Sequence, residues 1–397
     1  MLLTSLFVYF LLCPFRFKCF PIIQLFSRPV NCFCGNLQKI VANLRQMRYT
    51  DSEGCADRAP KTEAVMKIWQ LNSPNHIQRA ESPDLVRKDD KVKVKITKAL
   101  LSEADVCVYT GDTRVKYPAV PGRFAVGQVT EAPEGAYMQK GDRVYLADVM
   151  EDEDSPDGLR IAGESAPGFY RDFALAGPDE AYVLPASVSD EAAFLIDAVA
   201  MAEHVIDELH ISVGQHVLVI GGGLYGNVLC QILIYHRAVP ILADNNAERL
   251  ARAKKSGIYY TFPNDETLKN HILEVTGVKL ADAAAYLAFS NKSEPSALFS
   301  LVARGAYVAF CAPVGKSLSV NLGNALRYNV TLKGITESRE FVSTAINILA
   351  NKAVNFSEFP YSSYPEEKLP EMLEKYATLY RANGGLPEEM DIFRFVF

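Results

Sequence analysis

The chain has 397 residues, 49% hydrophobic and 22% charged, with a formal net charge of −6. This is a globular composition, long enough for two domains that each bury a core. It excludes fibrous and low-complexity classes, and the acidic balance argues against broad nucleic-acid binding, which needs a basic footprint.

Residues 1–65 stand apart from the rest. Cys13, Cys19, Cys32, Cys34 and Cys55 fall there, against three cysteines in all that follows. The opening "MLLTSLFVYFLLCPF" is apolar but shorter than the run of about 20 residues that spans a bilayer. No positive residue precedes it and no clear small-residue cleavage site follows, as a signal peptide requires. The composition break before "MKIWQLN" points to Met66 as the natural start. Residues 1–65 then read as an extension foreign to the fold, or else as a targeting segment; membrane association is expected only if residues 1–30 are genuine. Cys107, Cys230 and Cys311 are scattered, which suits a reducing, cytoplasmic compartment and not a disulfide framework.

From Met66 onward, "MKIWQL", "DKVKVKITKALL", "AVGQVTEA" and "GDRVYLADV" show the alternation of half-buried strands, so residues 66–190 are expected to be mostly β. "MEDEDSPDG" reads as a solvated acidic loop. Past residue 190 the texture changes. "SDEAAFLIDAVAMAEHVIDEL" has a capped start and helical spacing. "HVLVIGGGLYGNVLCQILIYHRAVPILADNNAERLARAKKSG" then reads as strand, glycine turn, helix, strand and charged helix. Further strands alternate with helical segments, which predicts an α/β, doubly wound parallel sheet. After residue 340, "FVSTAINILANKAV" and "PEEKLPEMLEKYATLY" are expected to be helices, and "MDIFRFVF" a strand returning to the first domain.

The glycine turn carries the clearest chemistry. Gly221, Gly223 and Gly226 form G-x-G-x-x-G after a β-branched strand and at the mouth of a helix, the context that spacing requires. Gly221 allows the turn, Gly223 lets the backbone approach a pyrophosphate, and Gly226 brings helix and strand together. Leu224 and Tyr225 lie inside the turn, Tyr225 packing near the cofactor. The next strand ends at Asp244, whose carboxylate can accept from both ribose hydroxyls and would repel a 2′-phosphate. Asn245 adds no positive charge, and with Arg249 completes the expected ribose surroundings. NAD(H) is therefore favoured over NADP(H).

"LLSEADVCVYTGD", "YPAVPGRFAVGQV", "KGDRVYLADV", "GFYRDFAL", "LIDAVAMAEHVI" and "VLVIGGGLYG" together resemble the medium-chain dehydrogenase/reductase superfamily, its zinc-type alcohol and polyol dehydrogenases in particular. The resemblance covers nearly all of 66–360. It implies a GroES-like catalytic β domain over 66–197 and 340–397 and a Rossmann NAD-binding domain over 198–339. It also implies dimers or tetramers acting on small molecules, with no nucleic-acid partner. The family's zinc motifs are altered. Ser102 stands where the liganding Cys is usual, Ala104 where the relay hydroxyl is usual, and Cys107 where the relay His is usual. Arg123 and Phe124 replace the His-Glu pair, and Asp197 occupies the third ligand position. The usual four-Cys lobe is missing as well. No catalytic zinc is expected, because about three N, S or O ligands are needed and Arg123 would repel the ion.

An Arg123–Asp197 ion pair is expected in the altered site, with structural filling as its plain alternative. Cys107 and Tyr109, two residues apart and on one face if the segment is extended, are candidate proton donors, although a buried thiol and a core aromatic are the plainer readings. His204 is expected on a packed helix. Cys311 falls where the family backbone nears the nicotinamide. Three functions compete: a zinc-independent NAD(H) oxidoreductase acting on a carbonyl, enone or quinone; an alcohol or polyol dehydrogenase using Arg123, Asp197 or Tyr109 in place of zinc; and a non-catalytic NAD(H)-binding protein.

Overall fold

A computed structural model describes residues 65–394 apart from 88–89, 153–154, 156–157, 289–294, 312–319, 337, 360 and 384–389. The expectations for residues 1–64 lie outside the described residues.

The first part is β-rich: β1 (Val65–Ser73), β2 (His76–Pro83), β3 (Val92–Leu101), helix α1 (Glu103–Thr110), β4 (Phe124–Glu131), β5 (Arg143–Leu146), β6 (Val149–Glu151), β7 (Leu159–Ile161), β8 (Phe173–Ala176) and β9 (Ala181–Val183). Strands and helices then alternate through α2 (Asp190–Ala193), α3 (Ile196–Glu208), β10 (His216–Ile220), α4 (Leu224–Tyr235), β11 (Val239–Asp244), α5 (Ala247–Lys255), β12 (Tyr260–Pro263), α6 (Leu268–Val275), β13 (Ala281–Tyr286), β14 (Val302–Cys311), α7 (Gly323–Tyr328) and β15 (Thr331–Ile335). The chain closes through α8 (Val342–Ala350), β16 (Tyr361–Pro365), α9 (Leu369–Asn383) and β17 (Met390–Arg394).

Six of the strands form a parallel sheet in the order β12-β11-β10-β13-β14-β15. Its central strands are unbroken apolar runs: Val217, Leu218, Val219 and Ile220 are all buried. A sheet covered on both faces requires this, because no strand face meets water. The order starts from the centre and winds outward both ways, so the first crossover leaves a crevice beyond the carboxyl end of β10.

The second sheet runs β16-β17-β3-β4-β5-β9, with β8 also on β3. Its β3, β4, β5 and β9 pair antiparallel, and β17 enters between β16 and β3, opposing residues 98–101. The strand expected at "MDIFRFVF" thus joins this second, antiparallel sheet over residues 390–394. Helix α8 packs into the apolar cluster around α3 and α4, whereas Leu369, Leu373 and Tyr376 of α9 join the cluster of the antiparallel sheet. Met150 and Glu151 of "MEDEDSPDG" end β6, which pairs with β7, so this acidic segment joins the two strands of a small hairpin. Among the described residues no helix is long and apolar enough to cross a membrane.

Candidate active site

The segment from Ser102 to Gly111 is a helix, not the extended strand on which Cys107 and Tyr109 were expected to share a face. Ser102 and Asp105 make a capping box, which sets the helix start despite the strand-like "VCVY". The Asp105 carboxylate accepts from Ser102 N at 2.9 Å, Ser102 Oγ at 2.6 Å and, across the fold, Gly122 N at 2.9 Å. It therefore fixes the loop that presents Arg123, while the oxygen of Ser102 is committed to the cap. Tyr109 is buried. Its hydroxyl donates to the Glu374 carboxylate at 3.0 Å and lies 3.2 Å from the carbonyl of Asn75. Burial, and then the bond to Glu374, push the phenol up to about 12. Cys107 is 5% exposed on the same helix.

Arg123 and Asp197 are not directly paired. Arg123 Nε donates to Asp148 Oδ2 at 2.7 Å, and Asp197 Oδ2 accepts from the hydroxyl of Tyr225 at 2.7 Å. The expected pair is thus replaced by two contacts that share one electrostatic environment. Both members of the Arg123–Asp148 pair are largely buried, with side chains 12% and 15% exposed. Burial opposes the charge on Arg123, but the carboxylate of Asp148 outweighs it, with a smaller contribution from Asp197, and the guanidinium stays firmly protonated. Asp197 is held at about 6, chiefly by burial and then by the charge of Asp148; Tyr225 and Arg123 act in the opposite direction. A carboxyl group at that level can carry or release a proton near neutrality. Burial, and then Asp197, raise the Tyr225 phenol well above its ordinary value, so it stays a neutral hydroxyl near neutrality.

Asp148 was not foreseen, yet the antiparallel register held its signal. Ala125 faces Leu146 across β4 and β5, so the same register continued past the strand ends sets position 123 opposite 148. The phenol of Tyr225 was foreseen near the cofactor but not as the partner of Asp197.

The glycine turn has the geometry that its spacing implies. Gly221 has φ +109°, a conformation costly for other residues, and a Cβ at Gly226 would run into the carbonyl oxygen of Gly221. Gly223 is the N-cap of α4, and its helix opens with Leu224 and Tyr225. The first N–H groups of that helix carry no partner within it and face an anion favourably. Asp244 is buried at the end of β11. Its Oδ2 accepts from Gly222 N at 2.6 Å and its Oδ1 from Asn246 N at 2.7 Å, with Arg249 Nη1 at 3.5 Å. Asn245 follows at the exposed edge. Cys311 ends β14, and burial pushes its thiol up to about 12, which leaves no thiolate for chemistry. His204 lies on α3, stacked on Phe341, with Nδ1 3.2 Å from Ser338 Oγ.

The donor set does not suit a zinc ion. The oxygen of Ser102 is bound into a helix cap, position 123 is a cation, and position 124 is a phenyl ring. Among the described residues no group of three or more His, Cys, Asp or Glu side chains could hold a metal.

A parallel sheet with a glycine-rich first crossover thus stands beside an antiparallel sheet whose β4 and β5 ends carry Arg123 and Asp148. Residues 88–186 match the alcohol dehydrogenase GroES-like domain family. The chain is 27% identical over 238 residues to the starvation-sensing protein RspB of Escherichia coli K12, covering 56% of this chain and 70% of that one. It is 23% identical over 296 residues to sorbitol dehydrogenase of Halalkalibacterium halodurans, covering 70% and 86%. The solved structure of a short chain alcohol dehydrogenase (rspB) from E. coli CFT073, complexed with NADH, superposes with a TM-score of 0.71 at 20% identity, over 83% of this chain and 99% of that one. Over residues 88–186 the chain thus carries an alcohol dehydrogenase GroES-like domain, and along most of its length it is similar to medium-chain alcohol and polyol dehydrogenases.

Proposed function

We propose that this oxidoreductase is NAD(H)-dependent, works without zinc, and interconverts a small carbonyl compound and its reduced form. One observation carries the reading: the acid–base carboxyl Asp197 is hydrogen-bonded to Tyr225, a residue of the glycine turn itself. The proton-handling group and the dinucleotide cradle are therefore one connected unit.

Gly221, Gly223, Leu224, Tyr225 and Gly226 would hold the pyrophosphate against the start of α4, and Asp244, Asn245 and Arg249 would surround the adenosine ribose. Both Asp244 oxygens already anchor the turn through backbone N–H groups, with lone pairs left over for the ribose hydroxyls. That carboxylate favours NAD(H). When bound, the nicotinamide supplies or takes the hydride. Asp197 gives a proton to the substrate oxygen during reduction and takes one during oxidation, with the Tyr225 hydroxyl as the intervening donor. Arg123, locked by Asp148, presents a fixed positive charge to the oxygen as negative charge develops on it. Ser102, through Asp105, supports this loop at the start of α1, Cys107 and Tyr109 pack within α1 behind it, and Cys311 ends β14.

The likeness to sorbitol dehydrogenase supports an alcohol or polyol as the reduced partner. The test is NADH oxidation by the full-length chain in EDTA against aldehydes, ketones, keto-sugars, enones and quinones. Turnover in the chelator is expected. Activity that appears only on adding zinc overturns the reading, and NADH binding without any turnover points instead to a non-catalytic nucleotide-binding protein.

A further inference from the structure

Arg123 has more hydrogen-bonding capacity than the protein uses. Its Nε is bonded to Asp148, while Nη1 and Nη2 have no acceptor among the described residues. Neither terminal nitrogen is sealed away, in contrast to the Nε atoms of Arg160 and Arg171, which are buried without partners. The guanidinium carbon also lies 5.9 Å from the ring centroid of Phe124, a second contact on the head group. A planar donor edge is thus anchored on one side and open on the other, within electrostatic reach of Asp197.

We infer that this open edge receives a carboxylate next to the reacting carbonyl, so that the substrate is a 2-oxo acid, reduced to the 2-hydroxy acid. The inference rests on the NAD(H) carbonyl reductase reading above and deepens it. A simple ketone offers one oxygen to a guanidinium edge that has two parallel N–H groups. A 2-oxo acid offers two, its carbonyl oxygen and one carboxylate oxygen, side by side and coplanar, which is the pattern a guanidinium recognises best. The charge balance sets the class further. Asp148 already offsets the cation, and Asp197 stands close by, so a phosphate dianion would be repelled where a single carboxylate is tolerated. The added negative charge also raises the proton affinity of Asp197 and keeps the acid loaded for reduction.

The step balances. The carbonyl carbon accepts a hydride from the reduced nicotinamide, a transfer of two electrons, as the C=O π bond breaks. The oxygen takes the proton of Asp197 through the hydroxyl of Tyr225. The products are the 2-hydroxy acid, the oxidised nicotinamide and the Asp197 carboxylate, which regains its proton from water.

The test uses the full-length chain saturated with NADH and titrated with oxamate, an unreactive 2-oxo acid mimic, or with its uncharged diamide, oxamide, while NADH fluorescence is followed. Oxamate is expected to bind about 10- to 100-fold more tightly than oxamide. Arg123→Met abolishes that preference, and Arg123→Lys, which keeps the charge but not the fork, loses about tenfold. Equal binding of the two mimics, or oxamate binding unchanged in Arg123→Met, overturns the inference. Turnover separates it from the reading beneath: pyruvate and phenylpyruvate are expected to exceed acetone and phenylacetone in kcat/KM by a similar factor. Equal reduction of ketones and oxo acids overturns the carboxylate subsite and leaves the reductase standing, whereas failure to bind NADH overturns both.

Discussion

The hydroxyl of Tyr225 donates to Asp197 at 2.7 Å, linking the second residue of α4 to the second residue of α3. The glycine turn proposed to cradle the cofactor and the carboxyl proposed to carry the proton are therefore held by one bond.

The pH dependence of reduction follows. Reduction needs the protonated carboxyl, and burial together with Asp148 holds Asp197 at about 6. The reductive kcat/KM is expected to be flat below about pH 6 and to fall about tenfold per unit above it. Tyr225 favours the ionised form and relays the proton in the proposed mechanism, so Tyr225→Phe lowers the rate and moves the remaining falling limb to higher pH. Asp197→Asn removes the limb and lowers the rate at least about 100-fold. A pH–rate profile of the three proteins checks this; a limb that stays in Asp197→Asn belongs to another group.

Stability carries the same signature with a definite sign. The folded-state value of Asp197 lies above that of a free carboxyl, so the folded protein binds the extra proton between about pH 4 and 6. The corresponding stability is full below that window and is lost as pH rises through it. Asp197→Asn does not have this loss and should gain about 2–3 kcal/mol relative to the parent at pH 8 compared with pH 4. Urea melts at the two pH values measure it; a parallel pH dependence in both proteins contradicts it.

Removing Arg123 leaves Asp148 and Asp197 together without their cation. Arg123→Met should cost about 3 kcal/mol, and Asp148→Asn a comparable amount. The double variant should cost clearly less than the sum, because neither partner is then left alone. A double-mutant cycle by thermal or urea melting reads the coupling directly, and additive costs would mean that the contact at 2.7 Å contributes nothing.

Tyr109 offers a contrast. Its hydroxyl is spent on Glu374 and Asn75, which ties α1 to α9. Tyr109→Phe is expected to lower stability by about 1 kcal/mol and to leave kcat within twofold of the parent. A loss of kcat of tenfold or more would place the phenol in the chemistry after all.

The parts of this fold that were legible in the sequence are those in which local pattern and tertiary context agree. Val217 to Ile220, then Gly221, Gly223 and Gly226, read as strand and turn because only glycine suits φ +109° and so close a helix approach. Helix α1 was obscured by the alternation in "VCVY", although Ser102 and Asp105 carried the cap signal that decided it. The partner of Arg123 was illegible for another reason. Charge and proximity to the altered zinc motif suggested Asp197, whereas strand register, a property of the β4–β5 pairing, selects Asp148. Tyr225 was read as a cofactor neighbour, since nothing local shows that its phenol crosses to α3.

The position of β17 has a consequence for how the molecule is made. That strand fills the gap between β16 and β3 with residues 390–394, while the parallel sheet is complete once residue 335 is in place. On the ribosome the dinucleotide half can settle first, while β3 waits with an unsatisfied edge nearly 300 residues after its own synthesis. Completion of the antiparallel sheet thereby waits for residues 390–394, and chains interrupted after about residue 340 would hold a complete parallel sheet while exposing the edge of β3 at residues 98–101, an adhesive strand suited to chaperones.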